Sequence, residues 1–169
     1  MESFFDGCVA VGPDICPFYA PTSDAISQKL TALYESVRAR PVPVRTPTSY
    51  GLVDYARLKL TVFVSLYSPY VMFPPLANAL ADLSDGDGTM LFQLLETPSF
   101  ECSCDSPKSP FELVQDGQTA VICTDGKEVN DSLEELKAQY ENMAKFTEWA
   151  EIWAGIRVRC SYVIPPVSS

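Results

Sequence analysis

The sequence predicts an all-α fold, and three observations predict it. Apolar residues recur at spacings of three and four along most of the chain. Capping residues and prolines punctuate those runs where helices would start and stop. No run alternates apolar and polar residues long enough to make a persuasive β-strand.

The first clear run carries Ile26, Leu30, Leu33, Tyr34 and Val37, with Ser23 or Asp24 as its cap and Pro41 and Pro43 as its stop. Val42-Pro43-Val44 is extended but short, and its proline confines it to an edge or a loop. A second helix starts from Asp54 as N-cap and continues through Leu58, Val62 and Leu66 to Pro69. Pro74 and Pro75 suit the first turn of a third, with Leu76, Leu80 and Leu83 inward and Asp85-Gly86 ending it. Thr89 to Glu96 is a short fourth. Ser109-Pro110 opens a fifth, through Leu113, Val114 and Val121, weakened by Gly117. The sixth begins at the capping box Ser132-Leu133-Glu134-Glu135 and is expected to reach about Trp153. Its apolar stripe is Leu136, Tyr140, Met143, Phe146, Trp149, Ile152 and Trp153. About six helices and long ordered loops at 40–53, 97–109 and 123–131 result, in one domain over residues 1–160 with a tail at 161–169.

Composition sets bounds on function. At 169 residues with 47% hydrophobic and 20% charged residues, the chain can bury a core of its own. A net charge of −10 disfavours nucleic acid and anionic membrane surfaces, both of which reward basic patches. The stretch from Leu58 to Met72 is broken by Lys59, serines and Pro69 short of the ~20 apolar residues a membrane helix needs. There is no histidine. A Ser-His-Asp or Cys-His catalytic arrangement and the histidine-containing zinc sites are therefore excluded from this chain. No cofactor or metal site is expected.

Six cysteines (Cys8, Cys16, Cys102, Cys104, Cys123 and Cys160) allow 15 pairings. An even set without histidine favours disulfides and an oxidising compartment; buried, inert thiols are the alternative. Cys102-Ser103-Cys104 is too closely spaced for a redox C-x-x-C and has no second pair at zinc spacing, so both stay unassigned. Asn130-Asp131-Ser132 is a glycosylation sequon. Met1-Glu2-Ser3-Phe4-Phe5-Asp6 lacks the basic start and apolar core of a signal peptide. Set beside disulfide-type cysteines, that suggests a natural chain with an earlier start.

Three further patterns imitate active chemistry. Ser49-Tyr50-Gly51 evokes the nucleophile elbow G-x-S-x-G, but Pro47 stands where the first glycine belongs and the preceding prolines cannot form a central strand. Asp85-Gly86-Asp87-Gly88 with Glu96 matches calcium-loop positions 1, 3 and 12, yet Met90 replaces the turn glycine at position 6. A helix stop followed by a helix start explains the same residues. Glu134, Glu135, Glu141, Glu148 and Glu151 are read as the solvated face of the last helix, not as an acid/base pair. No catalytic residue is assigned.

Blocks spread over residues 3–160 nevertheless share an order and spacing with a known family. They are Phe4-Phe5-Asp6-Gly7-Cys8, Gly12-Pro13-Asp14, Cys16-Pro17-Phe18-Tyr19, Tyr50-Gly51-Leu52-Val53-Asp54-Tyr55 and Leu66-Tyr67-Ser68-Pro69, followed by Ala79-Leu80-Ala81-Asp82-Leu83 with Asp85-Gly86-Asp87-Gly88, and Phe100-Glu101-Cys102. The last two are Ala120-Val121-Ile122-Cys123-Thr124-Asp125-Gly126 and Trp153-Ala154-Gly155-Ile156-Arg157 with Cys160. Together they resemble the lid of fungal α/β-hydrolases, the tripeptidyl-aminopeptidase-like and prolyl-aminopeptidase-like serine hydrolases.

That resemblance implies a helical cap subdomain without the α/β-hydrolase sheet, placed between the family's serine elbow and its acid and histidine. It implies a hydrolase core domain as partner, a peptide or small ester substrate only in that context, and a secreted or lumenal parent. Disulfides Cys8–Cys16 and Cys123–Cys160 follow from the same resemblance. The expected role is substrate gating without hydrolysis by this chain alone. The rival reading is a stand-alone, disulfide-stabilised helical binding module.

Overall fold

The computed structural model describes residues 1–96, 114–125 and 129–163, side chains at 114–116 and 162–163 excepted. Among these residues there are eight helices and one two-stranded sheet, so the chain is mostly helical. The expected loop at 97–109, the helix opening at Ser109-Pro110, Leu113, Cys102 and Cys104 lie outside the described residues. The chain divides into two compact units, Met1–Pro98 and Ser99–Ser169, a division that sequence patterning does not draw.

In the first unit, α1 (Glu2–Val11) buries Phe4, Phe5 and Cys8. It ends where Gly12, at φ 78°, donates its amide to the Cys8 carbonyl; a left-handed backbone here suits glycine. Cys8 is bonded to Cys16, with their Cα atoms 5.3 Å apart. Helix α2 (Ser23–Ala39) buries Ile26, Leu30, Leu33, Tyr34 and Val37, the positions its periodicity marks. Its cap is Thr22, not Ser23 or Asp24. Thr22 keeps extended backbone and its hydroxyl accepts from the Ala25 amide at 3.1 Å, while Ser23 is already helical and donates to Asp6.

The expected loop at 40–53 is instead an antiparallel hairpin of β1 (Val42–Arg45) and β2 (Tyr50–Val53). Pro43 stands opposite Leu52, at a position where no ladder bond needs its missing amide. Val44 and Val53 are buried while Pro43, Arg45, Tyr50 and Leu52 face out. The alternation is too short to declare itself without that partner strand.

Helix α3 (Tyr55–Ser65) starts as expected: the Asp54 carboxylate accepts from the Arg57 amide at 2.8 Å. Helix α4 (Pro69–Ser84) begins earlier than the sequence suggests. Pro69 takes the first helical position, and Pro74 and Pro75 lie inside the helix instead of opening it. They forfeit two ladder bonds. Burial of Leu76, Ala77, Ala79, Leu80 and Leu83, together with an edge-on contact between Phe73 and Phe4 at 5.2 Å, outweighs that loss. Helix α5 (Thr89–Leu94) buries Leu91 and Phe92.

Two glycines let α5 lie on the hairpin. A β-carbon at Gly51 would meet the Phe92 ring at 2.5 Å, and one at Gly88 would meet Val53 at 2.9 Å and Val44 at 3.1 Å. Only a residue without a side chain permits that approach.

In the second unit, α6 (Val114–Thr124) and α7 (Leu133–Met143) both pack on α8 (Ala150–Val163). The single last helix expected to run to Trp153 is therefore two. After Met143 the backbone tightens into a turn, the Thr147 hydroxyl accepts the Trp149 amide at 3.2 Å, and a new helix starts at Ala150. The expected apolar stripe divides with it. Leu136 is buried, while Phe146, in the turn, is 81% exposed. Residues 161–163 of the expected tail complete α8.

Candidate functional site

Each segment that imitates catalytic or metal chemistry has a local structural use. Ser49 closes the hairpin: the Thr46 amide donates to its carbonyl at 2.8 Å, and its own amide donates to the Thr46 hydroxyl at 2.9 Å. The two hydroxyls lie 2.8 Å apart. Ser49 thus occupies a turn between antiparallel strands, not the sharp strand-to-helix corner that exposes a nucleophile.

The calcium-like segment separates α4 from α5. Gly86, at φ 93°, donates to the Leu83 carbonyl, and the Asp87 amide donates to that of Asp82 at 2.9 Å. The Asp87 carboxylate accepts from the Thr89 amide at 2.9 Å. Hydrogen bonds from Thr89 stabilise its carboxylate and hold its pKa below the ordinary value, as expected for an anion at a helix N-terminus. No group of three or more metal-ligating side chains occurs among the described residues.

On α7 the capping box is complete. The Ser132 hydroxyl accepts from the Glu135 amide at 3.3 Å, while Glu135 Oε2 accepts from the Ser132 amide at 2.8 Å and from its hydroxyl at 2.9 Å. Those bonds to Ser132 stabilise the Glu135 carboxylate and hold its pKa below the ordinary value. Glu141 meets Lys137 at 3.9 Å, an exposed pair, and Glu148 and Glu151 face solvent. Asp131, next to the box, accepts from Arg157 Nε of α8 at 2.6 Å in a half-buried ion pair. Asn130 is exposed.

A cavity of about 80 Å³ lies between α6 and α8, lined by Gln118, Thr119, Ile122, Cys123, Ile156 and Arg159. It is well below the size that encloses an organic substrate. Cys123 in its wall is bonded to Cys160, with Cα atoms 5.1 Å apart. Among the described residues the disulfides are thus Cys8–Cys16 and Cys123–Cys160.

The described residues also include apolar side chains that are exposed. No charged residue occurs from Leu60 to Ala81. Where α3 hands over to α4, Tyr67, Tyr70 and Val71 are 68%, 98% and 72% exposed. Pro69 enforces the turn that presents them. Sequence reading placed Tyr67 in a family-like block but did not find Tyr70 and Val71 as exposed. Their helix was expected to start after them. In the second unit, Leu133 and Phe146 are similarly open to solvent.

No helix among the described residues is long and apolar enough to cross a membrane. Comparison with models of known protein families, with curated proteins and with solved structures finds no match.

Proposed function

We propose that this chain is the helical cap of a serine α/β-hydrolase, acting in substrate gating over a hydrolase core and performing no hydrolysis alone. The observation that carries the proposal is the order and spacing of the family-like blocks, from Phe4 to Cys160. The disulfides Cys8–Cys16 and Cys123–Cys160 support it, because they are two specific pairs that the resemblance implies out of many possible ones. The exposed Tyr67, Tyr70 and Val71 supply the kind of surface that a cap closes onto a pocket mouth. Closing such a surface excludes water and selects substrate by size.

The reaction itself needs a nucleophile, a base and an oxyanion hole. With no histidine, this chain cannot supply the usual base. Those groups belong to the core.

The purified chain is expected to show no turnover of aminoacyl or peptidyl chromogenic substrates, and to bind a hydrophobic dye through its uncovered face. Turnover that survives a serine-directed inhibitor control overturns the proposal. Genomic DNA around the reading frame gives a second test. It should encode a G-x-S-x-G elbow upstream and an Asp, then a His, downstream. A cooperative, monomeric chain that binds no dye favours the stand-alone binding module.

A further inference from the structure

We propose that Asn130 is the acceptor of an N-linked oligosaccharide, attached before helix α7 forms. The inference is independent of the cap reading. It rests on where the structure puts the three residues Asn130-Asp131-Ser132 and on what already occupies two of them.

Asn130 lies outside any helix or strand, just before α7, and its side chain is exposed. Among the described residues no hydrogen bond engages its side-chain amide. Asp131 and Ser132 are differently placed. Asp131 holds Arg157 of α8, and the Ser132 hydroxyl accepts from the Glu135 amide and donates to Glu135 Oε2. The acceptor motif requires a hydroxyl two residues after the asparagine. In the folded unit that hydroxyl is engaged, so the free motif exists only while α7 is unformed.

The transfer is a substitution at the anomeric carbon of an oligosaccharide carried on a polyprenyl diphosphate. A bond forms from the Asn130 amide nitrogen to that carbon as the carbon–oxygen bond to diphosphate breaks. The lipid diphosphate leaves with its electron pair, and one amide proton passes to base. No oxidant or reductant is needed.

Timing makes the proposal specific. The motif sits inside the 37-residue interval closed by Cys123–Cys160. That bridge draws α6 onto α8, while the Asp131–Arg157 pair fixes the start of α7 on the same helix. Bridge formation and glycan attachment therefore compete for the same chain segment. Delaying the bridge should raise occupancy.

The test is translation of the full chain, behind a cleavable secretion signal, into microsomes. A second acceptor tripeptide in a C-terminal tag reports entry into the lumen. The wild type and Ser132→Thr are expected to carry two glycans, both removed by peptide N-glycosidase. Asn130→Gln and Ser132→Ala should carry only the tag glycan. Adding dithiothreitol during translation should increase the doubly modified fraction of the wild type. Wild-type chains bearing only the tag glycan, with and without reductant, overturn the proposal. Equal double modification in both arms overturns its timing.

Discussion

The two units of this chain solve the same problem by different means. Among the described residues, all buried apolar side chains but Leu136, Ala150 and Cys160 belong to Met1–Pro98. That unit has a true interior: Phe18, Ile26, Leu58, Val62, Leu76, Leu80 and Leu91 are fully buried. Its bridge, Cys8–Cys16, closes only a short loop. Among its described residues the second unit has three helices, few buried side chains, a half-buried ion pair and a disulfide across 37 residues. Where apolar burial is scarce, a covalent link and specific polar contacts take over the work of restricting the chain.

The sharpest way to break that comparison is to remove the long bridge. Replacing Cys123 and Cys160 together by alanine removes loop-closure restriction worth about 4 kcal/mol for an interval of this length. Loss of helical signal and of amide-exchange protection should be confined to the second unit. Equal loss in the first would refute the division.

The converse change is Leu58→Ala. Leu58 is fully buried in the first turn of α3, and the truncation is expected to cost the first unit about 3 kcal/mol. Denaturant unfolding followed by exchange mass spectrometry should show residues 1–96 destabilised and α7 and α8 unchanged.

Smallest is the capping box. Ser132→Ala should weaken the start of α7 by about 1 kcal/mol. The pH response has a definite sign. The folded-state pKa of Glu135 is held below its ordinary value, so its contribution is present above the ordinary carboxylate range. It fades as pH falls through the folded value, and Glu135→Gln should flatten that acid limb of α7 helicity.

Much of this fold is legible in the sequence, and the exceptions share a cause. The buried face of α2, the Asp54 cap and the Ser132 box depend on residues within a turn or two of each other, so local periodicity and capping chemistry reveal them. The hairpin does not declare itself, because Val42-Pro43-Val44 gains strand character only from Val53 and Gly51 across the turn. Pro74 and Pro75 look like a helix start by local rules. They lie inside α4 because burial of Leu76 to Leu83 and the packing of Phe73 on Phe4 are tertiary gains. The turn after Met143, where the Thr147 hydroxyl accepts the Trp149 amide, likewise splits the last apolar stripe in a way that periodicity cannot register. For function, the decoys were readable from single residues such as Pro47 and Met90. The exposure of Tyr70 and Val71 was not, since it depends on which residues α4 turns inward.

The spacing of the two bridges also sets an order of events at the ribosome. Cys16 follows Cys8 closely enough for that bridge to form while most of the chain is still unmade, and among the described residues the buried side chains of the first unit end at Phe92. Cys123 must wait until Cys160 has emerged. During that interval a finished, water-shedding body is tethered to an unfinished one. Retarding elongation over residues 124–160 should lengthen the lifetime of a species with one bridge closed and one open.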